Sequence, residues 1–350
     1  MRLILMLLVV FLVAAGMGFL KQMPVNNEAA EQAPVGETAE QVQDVDTAGQ
    51  TVSDVTGEQP ADAADDGGQT KELLSKPLPI DFSGGFPPDE KLYNGDTSYE
   101  DPTIKVEIKH EKLGVYSHIF KGRDVEYWVA DIRIGDASQL RTAAAESFDT
   151  DTALPANEIA ERVNAVLAFN GDFVSRLKDG FTIRQGKLFR DKLKGQRDVL
   201  LIDEDGDFHA VHSPDKGQLS DTVDGKKVIN AFYFGPILVE NGEVVQNMPS
   251  FTYLCPEKYY ARMAICQVGH LHYKVIATTM EKDYTLGLKL FDFANLCKQE
   301  GAKIAYNLDG GQSTTLYFNH KRQNEQNRVN FRNIPDIIYF ASAWNGENNI

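Results

Sequence analysis

The chain has 350 residues, 25% charged and 42% apolar, proportions that exclude a collagen, a coiled-coil array and a multi-span membrane protein. A formal charge of −16 argues against nucleic acid as a partner, because an acidic chain repels phosphate backbones. Three cysteines are too few for a disulfide scaffold.

Met1-Arg2 opens the chain, and Leu3 to Leu20 follows without a charge. As a helix that run spans roughly 27 Å, close to the hydrocarbon core of a bilayer. A short cationic start before an apolar run is also the pattern of a secretory signal, and Ala14-Ala15-Gly16 offers small residues for cleavage. Residues 1–20 therefore predict export, as a cleaved signal or a retained membrane anchor, with the body in an extracytoplasmic compartment. No Cys follows the run, which argues against a lipoprotein.

Residues 21–100 carry 17 Asp/Glu against 4 Lys, so most of the acidity sits ahead of the body. Lys21 to Ile80 contains no Phe, Tyr or Trp. Such a stretch buries too little apolar surface to offset its ordering entropy, and residues 21–95 predict a disordered, self-repelling spacer. Residues 96–350 are then expected to form a single folded domain.

From Pro102 onward the pattern is β-rich. Ile104 to Ile108 alternates apolar and polar, and Val125 to Ile134 predicts a second strand. Residues 156–164 predict a helix with Asn157 as cap and Ile159, Ala160 and Val163 on one face. Ala165 to Phe169 is a short apolar strand running into Asn170-Gly171-Asp172. Hairpins are predicted about Gln185-Gly186 and Asp205-Gly206. One strand over Ala231 to Val239 precedes Asn241-Gly242, and Ala261 to Val268 and Tyr273 to Thr279 make the next pair. Gly287 to Glu300 is the clearest helix, with Gly301 as its stop. Strands over Lys303 to Leu308, Ser313 to Phe318 and Asp336 to Ala343 close the domain. Hairpins outnumber helices, so the expected class is α+β, a mixed but mostly antiparallel sheet with a few flanking helices.

Two strand-end loops carry the candidate chemistry: Phe169-Asn170-Gly171-Asp172-Phe173 and Asn307-Leu308-Asp309-Gly310-Gly311-Gln312-Ser313-Thr314-Thr315. Each places an Asn and an Asp beside Gly just past an apolar strand, where a tight turn projects polar groups from a rigid support. Either loop alone is an ordinary turn sequence. The pair is more informative, because Ser-Thr-Thr after Gly-Gly supplies hydroxyls and backbone donors suited to an anion.

Between Trp128 and Ala343 the chain resembles the phosphodiester glycosidase family. The resemblance is carried in order by Ala168 to Phe173, Gly180 to Gly186, Phe234 to Gly242, Ala261-Arg262-Met263-Ala264, and Tyr306 to Leu316 after the Gly287-Leu288 helix. It implies a hydrolase that cuts the bond between a sugar C1 and a phosphodiester oxygen, as in N-acetylglucosamine-1-phosphodiesters. The products are a free sugar and a phosphomonoester. Glycosidic cleavage passes through an oxocarbenium-like state that carboxylates stabilise or attack. A phosphate leaving group places more weight on a cation and donors than on acid assistance.

On that basis Asp172 and Asp309 are the catalytic candidates, their division of labour left open. The resemblance makes Arg262 the candidate phosphate clamp. Asn170 and Asn307 are candidates for binding sugar hydroxyls or for holding the carboxylates. Ser313, Thr314 and the amides of Gly310 and Gly311 are candidates for cradling phosphate, and Asp131 is a lesser site candidate. The chain departs from the family pattern at Gln312, where many relatives carry a third Gly. It departs again at Thr278-Thr279-Met280-Glu281, where an Asp-Gly-Arg-like turn is usual.

No cofactor or metal is expected. His270-x-His272 lacks a third and fourth ligand at any recognisable spacing, and Asp203 to Asp207 reads as a hairpin turn rather than a calcium loop. Cys255 and Cys266 are candidates for pairing across a hairpin in an oxidising compartment, with Cys297 buried and unpaired. The expected partners are a phosphoglycan or polysaccharide substrate and a membrane reached through the N-terminal segment. Two alternatives compete: a non-catalytic glycan-binding or exopolysaccharide-assembly protein of the cell envelope, and a metal-dependent phosphodiesterase.

Overall fold

The computed structural model describes residues 84–113, 124–194, 197–251, 253–280, 286–324 and 331–346. The predicted leader and most of the predicted spacer lie outside the described residues. Among the described residues no helix is long and apolar enough to cross a membrane. The folded body begins ahead of the expected boundary at residue 95: Phe86 bridges to Ser342, and Tyr93–Asn94 pairs with Ser98–Asp101.

The strands form three sheets, of nine, six and five strands. Every pairing among the described strands is antiparallel. Among the described residues two α-helices accompany them, α1 (Ala156–Arg162) and α2 (Leu290–Gln299). The fold is therefore largely β: the expected α+β, mostly antiparallel arrangement recurs, with two short helices and no parallel pair among the described residues. The two connections that carry helices, Ala144 to Ala165 through α1 and Thr278 to Ile304 through α2, each join strands separated by a third strand that pairs antiparallel with both, so no parallel neighbours result.

The predicted elements recur with shifted ends. Val125–Ile134 is a strand as expected, and the hairpins about Gln185-Gly186 and Asp205-Gly206 form. Pro155 rather than Asn157 stands at the cap of α1, and no side chain bonds there. The single strand expected over 231–239 is two strands in different sheets, Lys226–Phe232 and Ile237–Glu240. Pro236 lacks an N–H for the ladder and Gly235 takes φ +71°, so the chain crosses between sheets there.

Phe169 and Phe340 of the five-stranded sheet, Phe232 of the six-stranded sheet, and Ile265 and Tyr306 of the nine-stranded sheet share one core. Full burial of such side chains stabilises by about 1.5–3 kcal/mol each, so the three sheets close on one another. Helix α2 packs on the outer face of the nine-stranded sheet, where Phe293 and Cys297 meet Ala264 and Cys266. The thiol of Cys297 hydrogen-bonds that of Cys266, and all three cysteines remain thiols. Cys266, a candidate for pairing with Cys255, lies instead against Cys297, because its side chain points at α2.

This closure brings strand ends together. Asn307 of strand Ile304–Asn307 lies opposite Ala264 of Met263–Gly269. Phe169 of Ala165–Asn170 lies between Leu316 and Ile338.

Candidate active site

Both candidate loops leave the ends of buried strands at this meeting point, and Asn170 ties them together. Its Nδ2 donates to the Asp309 carbonyl at 2.7 Å and to the Gly171 carbonyl at 3.1 Å. Its Oδ1 accepts from the Thr315 amide at 3.1 Å. The Asp309 amide in turn donates to the Gly171 carbonyl at 3.4 Å. With both amide hydrogens and the oxygen engaged and 1% of its surface exposed, Asn170 braces the two loops; it has no donor left for a sugar.

The second loop lines a cavity of about 210 Å³, walled by Asn307, Asp309, Gly310, Gly311, Arg332 and the aromatic side chains Phe173, Phe234, Tyr253 and Tyr260. The Asp309 carboxylate is 14% exposed. Its Oδ1 accepts the Gly310 amide at 2.9 Å and its Oδ2 accepts Arg332 Nη2 at 2.7 Å. Burial pushes the Asp309 carboxyl above its ordinary range, against the Arg332 charge and the Ser313 and Gly310 hydrogen bonds. Asn307 Nδ2 is held by the Gly235 carbonyl at 2.8 Å. Its Oδ1 is buried and has no donor among the described residues, an unmet acceptor in the cavity lining.

Asp172 stands behind that wall, 1% exposed. Its Oδ1 accepts Arg184 Nη2 at 2.6 Å and its Oδ2 accepts the Tyr233 amide at 2.9 Å. Arg184 is fully buried, donates to the Ile183 and Ala231 carbonyls, and lies 4.3 Å from the Phe232 ring centroid. A second carboxyl, Asp336, sits 3.8 Å from the same Nη2.

Other predicted residues have different duties. Arg262 lines the cavity, but most of its guanidinium is engaged by the protein: Nε, Nη1 and Nη2 donate to the carbonyls of Leu288, Leu254, Cys255 and Lys258 at 2.9–3.1 Å. It holds the cavity's rim in place. The Gly310 and Gly311 amides are spent within the protein, on Asp309 Oδ1 and on the Ala261 carbonyl, so the expected amide cradle for phosphate does not form. Glycine is needed at 310 because a Cβ there would fall 2.6 Å from the Ala261 carbonyl oxygen. Ser313 Oγ accepts Arg332 Nε at 3.0 Å, while Thr314 Oγ1 is buried without a partner among the described residues. Asp131 is apart from this group, on the nine-stranded sheet, with His272 Nε2 at 2.8 Å and Lys274 Nζ at 3.8 Å. His270 turns to Asp207 at 3.2 Å, so the two histidines serve different carboxylates.

The sequence pattern of the phosphodiester glycosidase family matches residues 163–341, just over half of the chain and the stretch that holds every residue of the cavity group. The chain belongs to the phosphodiester glycosidase family. The chain shares its fold with the catalytic domain of zebrafish N-acetylglucosamine-1-phosphodiester alpha-N-acetylglucosaminidase, solved auto-inhibited by its pro-peptide. The TM-score is 0.56 at 16% identity, over 71% of this chain and 87% of that one. A hypothetical protein from Synechocystis gives 0.45 at 16% identity, over 68% and 62%. No curated protein matches the chain in sequence.

Three charged residues near the cavity escape a sequence reading. Arg184 lies inside the quoted segment Gly180 to Gly186 but is one Arg among alternating strand residues. Arg332 lies 23 positions beyond Asp309, and Asp336 opens the last strand. The one available signal is a charge at the edge of an otherwise apolar strand, which has to find a partner when buried.

Proposed function

We propose that this phosphodiester glycosidase hydrolyses the C1–O bond of a sugar 1-phosphodiester, releasing a free sugar and a phosphomonoester. The observation that carries this reading is Arg332 at 2.7 Å from the part-exposed Asp309 on the wall of one small cavity. An anion and a cation side by side suit the two charges that develop as the bond breaks. Asp309 faces the positive charge at the sugar C1, and Arg332 neutralises the departing phosphate. Water supplies the oxygen that C1 gains and Asp309 takes its proton, either directly or after holding the sugar covalently. The phosphomonoester leaves with the bonding pair. Asn307 Oδ1 accepts from a sugar hydroxyl, and the aromatic side chains cover the sugar's C–H faces.

At about 210 Å³ the cavity is smaller than the roughly 300 Å³ at which drug-sized sites begin. One sugar ring and its phosphate fill it, and the remainder of a phosphoglycan or polysaccharide extends outside. Residues 1–20 export the protein as a signal or an anchor, and the acidic spacer holds the body off the membrane to reach nearby polymer. Cutting the spacer should release a body with unchanged kinetics, and lost activity would contradict that part.

The zebrafish relative's name makes an N-acetylglucosamine-1-phosphodiester the first substrate to try. The full chain is incubated with α-N-acetylglucosamine-1-phospho-methyl ester and with UDP-N-acetylglucosamine, with and without a chelator, and the products are resolved by mass. Free sugar from the wild type and none from Asp309→Asn is the expected outcome. Sugar phosphate whose release stops on chelation would replace this reading with a metal-dependent phosphodiesterase. Glycan binding that survives both Asp172→Asn and Asp309→Asn, with no turnover, would replace it with a binding protein.

A further inference from the structure

Asp336 is fully buried, and neither of its carboxyl oxygens has a hydrogen-bond partner among the described residues. The charged groups facing it are Asp172, Arg184 and Asp309. Arg184 is already engaged: its Nη2 lies 2.6 Å from Asp172 Oδ1 and 3.8 Å from Asp336 Oδ2. Two carboxyls thus face one guanidinium. Asp172 has the close Arg184 contact and the Tyr233 amide, the donors an ionised carboxylate requires. Asp336 has neither, and an ionised carboxylate without donors at a fully buried position is very costly. Water has no room beside it on the Gly171 side, where a Cβ would collide with the carboxyl group itself.

Asp336 is also one residue of backbone away from the cavity group. Its carbonyl accepts the Gly171 amide at 3.1 Å, and the Gly171 carbonyl accepts the Asp309 amide at 3.4 Å. We infer that Asp336 is a proton-bearing positioning residue, neutral at working pH, whose deprotonation adds a negative charge behind Asp309 and weakens binding of the anionic phosphodiester. The carboxyl group's environment agrees in direction: burial, then the Asp172 charge, push it up to about 8, against Arg184. The inference about substrate affinity rests on the phosphodiester reading; the inference about the proton does not.

The test has two arms on the full chain. In the first, infrared spectra are taken from about pH 6 to about pH 10, across the range where ordinary carboxyls are already ionised. A protonated-carboxyl band should be present at neutral pH, fade toward the alkaline end, survive in Asp309→Asn, and vanish in Asp336→Asn and in Asp336→Leu. In the second, kcat and KM for α-N-acetylglucosamine-1-phospho-methyl ester are measured over the same range. One added charge at about 10 Å in a medium of effective dielectric about 20 corresponds to about tenfold in affinity. KM should therefore rise about tenfold in the wild type as the band fades, with kcat moving less, and stay flat in the two neutral variants. A wild type without the band, or a band that both Asp336 variants retain, overturns the proton assignment. A KM profile in the variants that tracks the wild type overturns the link to the substrate. If no variant and not even the wild type cleaves the ester, the phosphodiester reading fails, and the infrared arm alone still decides whether Asp336 holds a proton. If both neutral variants misfold, the band in the wild type and in Asp309→Asn decides it.

Discussion

Arg332 Nη2 lies 2.7 Å from Asp309 Oδ2 while the same guanidinium donates to Ser313 Oγ, so one arginine spans the acid and the hydroxyl of a single loop. Burial raises the Asp309 carboxyl and the Arg332 charge opposes it. Removing that charge in Arg332→Gln leaves burial less opposed, so the carboxyl moves higher still. A reaction that needs ionised Asp309 should then lose its acid limb at higher pH than in the wild type. Loss of the cation on the leaving phosphate should also cost about 10²–10³ in kcat/KM. A pH–rate profile of the two proteins checks both, and an acid limb that stays in place would free Arg332 of any role in tuning Asp309.

The Asp172–Arg184 pair is 1% and 0% exposed on its two side chains. Breaking one side of a buried pair strands the other charge, at a cost of about 3–5 kcal/mol. Asp172→Asn should lower the melting temperature by roughly 10 °C. The double variant Asp172→Leu/Arg184→Met, which strands neither charge, should recover part of that loss. Thermal unfolding monitored by circular dichroism distinguishes this from a purely catalytic Asp172, for which Asp172→Asn would melt with the wild type.

Arg262 is expected to act on the rim rather than on substrate phosphate. Its four carbonyl contacts reach Leu254, Cys255, Lys258 and Leu288. Arg262→Met removes them together and should destabilise the protein by about 2–4 kcal/mol. Limited proteolysis should show earlier cutting between residues 254 and 258. Loss of activity with an unchanged proteolysis pattern and melting temperature would restore the phosphate-clamp assignment.

Stability should also depend on pH through Asp336. Its carboxyl is raised in the folded state, so the folded protein holds a proton that the unfolded chain releases in the ordinary carboxylate range. That contribution is complete in acid below the unfolded value and is lost as pH climbs from there through about 8. The melting temperature of the wild type should fall across this window, and Asp336→Leu should fall less steeply. Parallel slopes in a pH series of thermal scans would remove Asp336 from the linkage.

Much of the fold is legible in the chain. Val125–Ile134, the Gln185-Gly186 and Asp205-Gly206 hairpins and helix α2 follow from alternation, turn residues and a 3.6-residue stripe, all local signals. The break at Tyr233–Pro236 is less visible, because an apolar run does not announce that its two halves join different sheets. Both Asp-bearing loops are also legible, since strand, Asn, Gly and Asp follow one another in sequence. Their partners are not. Asn170 meets Asp309 across 139 positions, and Asp172 meets Arg184 across 12.

What the sequence determined by itself was the local order: an apolar start, an acidic stretch without aromatics, a β-rich body, two strand-end loops rich in Asn, Asp and Gly, and a family resemblance running through them. What only the tertiary structure decided was the assignment of charges. It gave Asp309 its partner Arg332, spent Arg262 on backbone carbonyls, moved Asp131 to another face, and set Asp336 beside Asp172 with one arginine between them. The reason is physical. Periodicity and turn chemistry act over a few residues, whereas burial and charge pairing depend on which distant strand ends the closing of three sheets carries to the same place.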